Sequence, residues 1–389
     1  MIRLRNTNLL IVGAGPFGLA MSAYARHLGI DHLVVGVPLE FWNRHMPAGL
    51  VLRSGIDWHL DPLDKFTIQR YLETSGINAR DVQPLSLATY RDYAHWFIEQ
   101  YEIECIPHYV TSLNRNPATG TDFLAALTDG TVIQAGNVLL ALGFKHFQNI
   151  PADLTARLSA GRYEHTCQFV DFAPLNSRRV LIIGGRQSAF EWAALTHEAG
   201  ATEVHVVYRH DTPAFTESDW SWVNPLLEMM VDDPAWFRNL EEKEQQRLNQ
   251  RFWAEGRLKL EPWLAQRLDH PSIKLWPRTE ISACSVDSTG QIAVALNTGE
   301  AFVVDRIILA TGYKVDISRW PLLADGNLLS HVRACDGFPA LDPYFQTSVP
   351  GLYMTSMAAT RDFGAFLAFT SSVRMSARVI GNAIKQRQK

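Results

Sequence analysis

Cysteine is scarce. Cys105, Cys167, Cys284 and Cys335 are the only four in 389 residues, and they lie far apart. Such spacing offers no C-x-x-C redox pair, no disulfide framework and no zinc cluster. A basic excess is missing as well: 36 lysines and arginines against 40 acids leave a net charge of −4. That balance argues against a nucleic-acid or membrane-surface partner. No apolar run is long enough to span a bilayer. Met1 to Arg5 lead into an apolar strand without a signal-peptide core or cleavage site, so a cytoplasmic protein is expected. What the chain has in quantity is apolar residues, 47%, with 11% aromatics, which suits a globular protein of two or three domains.

The strongest local signal is "NLLIVGAGPFGLAMSAYARHLG". Leu9 to Val12 form a short apolar run, as in a central parallel strand buried on both faces. Gly13, Gly15 and Gly18 then give G-x-G-x-x-G, followed by Phe17, Met21, Tyr24 and Leu28 at helical spacing. Strand, glycine loop and helix in that order make a dinucleotide-binding fingerprint, with the helix N-terminus offered to a pyrophosphate. A second copy follows in "RVLIIGGRQSAFEWAALTHEAG" and the strand "VHVVYR". Downstream, "AALTDGTVIQAGNVLLALG" and "VALNTGEAFVVDRIILATG" repeat a hairpin closing on Ala-x-Gly. Gly130 to Gly143 and Gly299 to Gly312 are both thirteen residues apart. The plan predicts an α/β chain with two Rossmann-like dinucleotide-binding domains, each carrying a β-meander insertion. A lone glycine loop is often only a tight turn; two matched copies in matched contexts argue otherwise.

With these features the chain resembles the two-dinucleotide-binding-domain flavoproteins, and more narrowly the class B flavin monooxygenases, which include the amine N-hydroxylases. The narrower likeness rests on "SAGRYEHTCQF", where Gly161, His165 and Phe169 fit F-x-G-x-x-x-H-x-x-x-[F/Y/W] and Ser159 replaces the first Phe. "PLSLATYRDYAHWFIEQY" and the "ATGY" at Ala310 to Tyr313 add to it. The resemblance implies FAD in the first unit, at Gly13, Gly15, Pro16, Phe17 and Gly18, with Trp42, Met46, Leu52 and Asp362 around it. It implies NADPH in the second, at Gly184, Gly185, Arg186, Gln187 and Ser188, with Arg209, Thr311 and Gly312 on the face between the domains. It divides the chain into an FAD-binding part over 1–165, an NAD(P)H-binding part over 166–300 and a return to the FAD part over 301–389. In the family, oxygen adds to reduced flavin as a C4a-hydroperoxide in a dry site.

Three positions depart from the pattern. Gly36 stands where an acid usually bonds the FAD ribose, with Glu40 the nearest acid downstream. Arg186 occupies the second glycine of the second loop; it either obstructs a pyrophosphate or contacts it through its guanidinium fork. The C-terminal Gly-Asp element is represented only by Asp362 and Gly364, with a helix expected from Phe366. Arg209, ending "VHVVYR", is suited to an NADPH 2′-phosphate, although a solvated surface arginine is the plainer reading.

Around the substrate, Ser54, Asp57, Trp58 and His59 are the residues of interest, against the plainer reading of core packing and surface polarity. Residues 212–270 form a helical insertion holding five of the eleven tryptophans. It reads as a small core of its own, or as a lid or subunit contact. The expected activity is NADPH-dependent, FAD-dependent oxygenation of a small polar molecule by O2, through N-hydroxylation or ring hydroxylation, in a possible homo-oligomer. Two alternatives stay open: an NAD(P)H-dependent flavin reductase or oxidase serving a quinone, an iron–sulfur partner or O2, and a non-enzymatic nucleotide-binding redox sensor.

Overall fold

The computed structural model describes residues 4–156, 158 and 161–388; Ser159 lies outside them. The first half runs β1 (Leu4–Val12), α1 (Pro16–His27), β2 (His32–Val35), α2 (Leu87–Gln100), β3 (Cys105–Ile106), β4 (Val110–Arg115), β5 (Phe123–Leu127) and β6 (Val132–Leu140). The second runs β7 (Tyr163–His165), β8 (Arg179–Ile183), α3 (Gln187–Glu198), β9 (Glu203–Val207), α4 (Val223–Asp232), α5 (Glu242–Arg257) and β10 (Ile273–Trp276). It continues through β11 (Ile281–Val286), β12 (Ile292–Leu296), β13 (Ala301–Val304) and β14 (Arg306–Leu309). The chain ends with β15 (Leu352–Met354) and α6 (Val373–Arg387).

Two sheets result. The first has the order β3-β2-β1-β6-β5-β4, with β15 pairing parallel to the last residues of β6. Leu9, Leu10 and Ile11 have no exposed surface, because β2 and β6 flank β1 in parallel while α1 covers it. Such double-sided burial is why the run is apolar without alternation. The second sheet is parallel, β10-β9-β8-β14-β7. Each unit carries its antiparallel meander, β4-β5-β6 and β11-β12-β13. Tyr163–His165 and Arg306–Leu309 both pair within the second sheet, so its strands extend a few residues outside 166–300.

The insertion does not form a separate core. Trp220 packs 5.5 Å from Trp58 and 5.3 Å from Phe252, and Phe252 meets Phe366 and Phe369 of the C-terminal element. Those contacts also correct the expected helix start. Ala365–Ala368 and Thr370–Ser372 are short 3-10 turns, and α6 begins only at Val373. Phe366 and Phe369 both meet Phe252 from these turns.

Candidate functional site

The two phosphate loops are superposable in their constraints. A Cβ on Gly13 would lie 2.4 Å from the Ala141 carbonyl oxygen, and one on Gly184 would lie 2.3 Å from that of Ala310. Both glycines have positive φ, +111° and +142°, so an L side chain is disfavoured on two counts. Gly18 packs its helix against the turn: a Cβ there would lie 1.8 Å from the Gly13 oxygen. Gly15 differs, with nothing within 4 Å of its Cβ position. Its value is open space at the N-terminus of α1, where Pro16 starts the helix and Phe17 is buried beneath.

Arg186 takes the place of Gly15 without changing the backbone. Gly15 caps α1 at φ −86°, ψ −174°, and Arg186 caps α3 at φ −117°, ψ −178°. Neither geometry needs glycine. The side chain leaves the loop for the insertion, where Nη1 donates to the Arg257 carbonyl at 2.9 Å. Gln187 follows it, its Oε1 accepting from the Glu261 amide at 3.2 Å. Gly185 is held tight beneath the Tyr208 ring, Ser188 is exposed, and Arg209 is exposed just past β9. Glu191, one turn into α3, is buried, and burial raises its carboxyl to about 8. It is therefore neutral near pH 7 and puts no negative charge beneath the loop.

The segments leaving the two sheets interlock. His165 donates Nε2–H to the Gly312 carbonyl at 2.9 Å, and the Asn149 amide donates to the same carbonyl at 2.9 Å. A carbonyl only accepts, so the proton is on Nε2 and Nδ1 accepts from the Cys167 amide at 3.3 Å. Thr311 donates its hydroxyl to the Asn149 carbonyl. Phe41, Phe144 and Tyr313 continue the contact as an aromatic row, with centroids 5.7 and 5.3 Å apart. Phe169, the other fingerprint aromatic, is buried, and its carbonyl accepts from Trp192 Nε1. Asn149 and Phe144 on the first side thus meet Thr311, Gly312 and Tyr313 on the second and tie one unit to the other.

Trp42, Met46 and Leu52, expected around a flavin, lie in the segment that follows β2 and packs on α2. Trp42 stacks on Tyr90 at 4.5 Å, Met46 is half-buried and Leu52 buried. Asn43 Oδ1, His45 Nε2, Tyr90 Oη, Thr355 Oγ1 and Ser371 Oγ are buried polar atoms with no hydrogen-bond partner among the described residues. Buried polar groups are normally satisfied, so this set fits a polar cofactor lying against β2, β15 and the start of α6. Gly36 ends β2 at φ +139°, its Cβ position 3.1 Å from the Ala14 amide, which explains why no acid stands there. Glu40 pairs with Lys145 at 3.2 Å. Asp362 accepts from the Leu341 amide at 2.7 Å and meets Arg238 at 3.4 Å, so it fixes the C-terminal element to the insertion.

A cavity of about 380 Å³ opens beside this region, lined by Leu52, Arg53, Ser54, Asp57, Trp58, Pro84, Leu85, Trp220 and Glu261. Ser54 Oγ meets Thr370 Oγ1 at 3.3 Å, and Asp57 accepts from Asn224 at 2.7 Å. His59 does not line the cavity. Its Nδ1 lies 3.2 Å from the Asp61 amide, and its Nε2 lies 3.0 Å from Arg374 Nη1 and 3.2 Å from Asp64, which Arg374 also bonds at 2.9 Å. Burial, then the nearby Arg374 charge, push its pKa down to about 4 against three neighbouring aspartates. The sequence reading missed Arg53 and Glu261, an ion pair at 2.7 Å joining 212–270 to the first unit. Only their opposite charge marked them, and nothing in their spacing linked positions so far apart.

The arrangement defines an α/β oxidoreductase fold with two dinucleotide units. The profile of the pyridine nucleotide-disulphide oxidoreductase family matches residues 7–230, and the chain belongs to that family. A ferredoxin–NADP reductase of Burkholderia vietnamiensis is 28% identical over 221 residues, 54% of each chain. A FAD-dependent urate hydroxylase of Xanthomonas campestris is 31% identical over 141 residues, 35% of this chain and 28% of the other. The match thus spans about half the length of the first relative and less of the second. Among solved structures, an ornithine N-hydroxylase of Kutzneria sp. 744 superposes with a TM-score of 0.78 at 16% identity, covering 99% of this chain and all of the other. A flavin-containing monooxygenase of Stenotrophomonas maltophilia shares the fold as well, with a TM-score of 0.70 at 16% identity, covering 99% of this chain and all of the other. Among the described residues, no helix is long and apolar enough to cross a membrane.

Proposed function

We propose that the protein is an NADPH-dependent, FAD-containing monooxygenase that inserts one atom of O2 into a small polar organic molecule, by N-hydroxylation or ring hydroxylation. The observation that carries this reading is the duplication of the phosphate loop down to the same glycine–carbonyl contact, on two units locked together through Gly312. Two coenzyme sites on one rigid face allow two rings to be held in contact, which hydride transfer requires. FAD is held by Gly13, Gly15, Pro16, Phe17 and Gly18, with Trp42, Met46 and Leu52 beside it. NADPH is held by Gly184, Gly185, Arg186, Gln187 and Ser188, with Arg209 for the 2′-phosphate and Thr311 and Gly312 on the shared face. When bound, the pair supplies the hydride and the activation of oxygen.

The chain's own part is to bind, orient and exclude water. Trp58 and Trp220 give the cavity apolar walls, while Ser54, Asp57 and Glu261 offer acceptors to a polar substrate. The likeness to ornithine and urate hydroxylases supports oxygen insertion, and the Kutzneria structure holds reduced FAD, NADP+ and L-ornithine. The absence of C-x-x-C from the sequence removes the usual disulfide acceptor. The reading places the protein in the cytoplasm. The likeness to the ferredoxin–NADP reductase favours a second reading, a reductase passing electrons to a quinone, an iron–sulfur partner or O2. Anaerobic mixing with NADPH bleaches the flavin under both. Incorporation of oxygen-18 from O2 into an organic product supports the monooxygenase, whereas turnover yielding only hydrogen peroxide or a reduced acceptor supports the reductase.

A further inference from the structure

Three guanidiniums crowd the C-terminus of the insertion helix α5. Arg53 donates to the carbonyls of Gly256 at 2.7 Å and Glu255 at 3.1 Å, and Glu261 neutralises it. Arg186 reaches the Arg257 carbonyl and stands 5.5 Å over the Trp253 ring; the Arg257 guanidinium stands 5.9 Å over the same ring. Neither Arg186 nor Arg257 takes part in an ion pair among the described residues. Burial depresses both, and Arg257 also feels the positive charges of Arg53 and Arg186. Two like charges sharing a partly desolvated place are unfavourable until an anion joins them.

The position of the pair identifies the anion. Arg186 is the N-cap of α3, and its backbone keeps the phosphate-loop conformation of Gly15. The chain just beyond Arg257 is fastened to the same loop by the bond from the Glu261 amide to Gln187. The Arg257 guanidinium stands close enough to Arg186 to feel its charge, and Trp253, half exposed, holds both guanidiniums by cation–π contact. We propose that Arg257 joins Arg186 to clamp the pyrophosphate of the pyridine dinucleotide, making the helical insertion part of the coenzyme site. The inference rests on the proposed placement of that dinucleotide in the second unit. Two planar forks suit the paired oxygens of a pyrophosphate. A pyrophosphate is common to NADPH and NADH, whereas exposed Arg209 addresses only the 2′-phosphate.

The test is calorimetric titration of the FAD-loaded protein with NADP+ and, separately, NAD+. Arg257→Gln is expected to weaken both by roughly tenfold, the loss of a charge-assisted contact, with flavin absorbance and melting temperature retained. Arg257→Lys is expected to weaken both less, and it serves as the test if Arg257→Gln fails to fold. Arg209→Gln is expected to weaken NADP+ alone. Unchanged or tighter binding of NAD+ by the Arg257 variants overturns the clamp. Wild-type protein that binds neither dinucleotide overturns the placement in the second unit and the clamp with it, which separates the two failures.

Discussion

His59 and Glu191 are ionisable groups that the fold holds neutral, and they respond to pH in opposite directions. The His59 pKa falls from 6.5 to about 4 on folding. Its contribution is whole above pH 6.5 and is lost as pH falls toward 4, because the unfolded chain protonates first. The loss approaches ~3 kcal/mol at the low end. His59→Asn keeps an acceptor for the Asp61 amide and is expected to flatten the denaturation free energy between pH 6.5 and 4. Glu191 is raised from 4.5 to about 8. Its contribution is whole below pH 4.5 and is lost as pH rises through 8. Glu191→Gln is therefore expected to raise the melting temperature by roughly 5 °C at pH 8 and to leave it nearly unchanged at pH 5. Neither role was legible in the sequence. A histidine and an aspartate in one loop suggested a substrate contact, and only the tertiary position of Arg374 and Asp64 shows that His59 is a fastening.

At the scale of elements, Arg53 is the main polar tie between the first unit and the insertion. Its bonds go to Ser218, Glu255, Gly256 and Glu261, all within 212–270. Arg53→Met leaves Glu261 half-buried without a counter-charge and is expected to cost about 3 kcal/mol. Limited proteolysis should then cut within 212–270 faster than in the wild type; unchanged cleavage would show the aromatic contacts to be sufficient alone. The strands, glycine loops and meanders were readable because burial on both faces and the steric demand for glycine act locally. The insertion was readable as helical and aromatic, but its partners were not. Trp220 could not be assigned to Trp58, nor Phe252 to Phe366, because their contacts depend on how two distant segments dock. The same docking broke the expected helix after Phe366 into turns.

The whole molecule consists of two equivalent units with separable failures. Gly13→Ala drives a Cβ against the Ala141 oxygen, and Gly184→Ala does the same at Ala310. Gly13→Ala is expected to yield protein that loses bound FAD, whereas Gly184→Ala keeps the yellow chromophore and no longer binds NADP+ in the calorimeter. Loss of FAD in both would mean that the units do not stand independently. Legibility differed here too: the repeat was plain in sequence, but the bond from the Asn149 amide to the Gly312 carbonyl that joins its copies had no sequence signal, and His165, which bonds the same carbonyl from within the second sheet, was visible only as a fingerprint residue of unstated purpose.

The pairing of Leu352–Met354 with β6 also bears on synthesis. On the ribosome the sheet that starts at Leu4 must wait for almost the entire polypeptide before its last ladder can close, and α1 waits likewise for the Asn382 side chain to reach Tyr24. The later-made sheet, drawn from 163–309, has all its strands clear of the ribosome first. Vectorial folding thus completes the second-born half before the first-born one, and a nascent chain stalled short of Leu352 leaves an open strand edge for chaperones to guard.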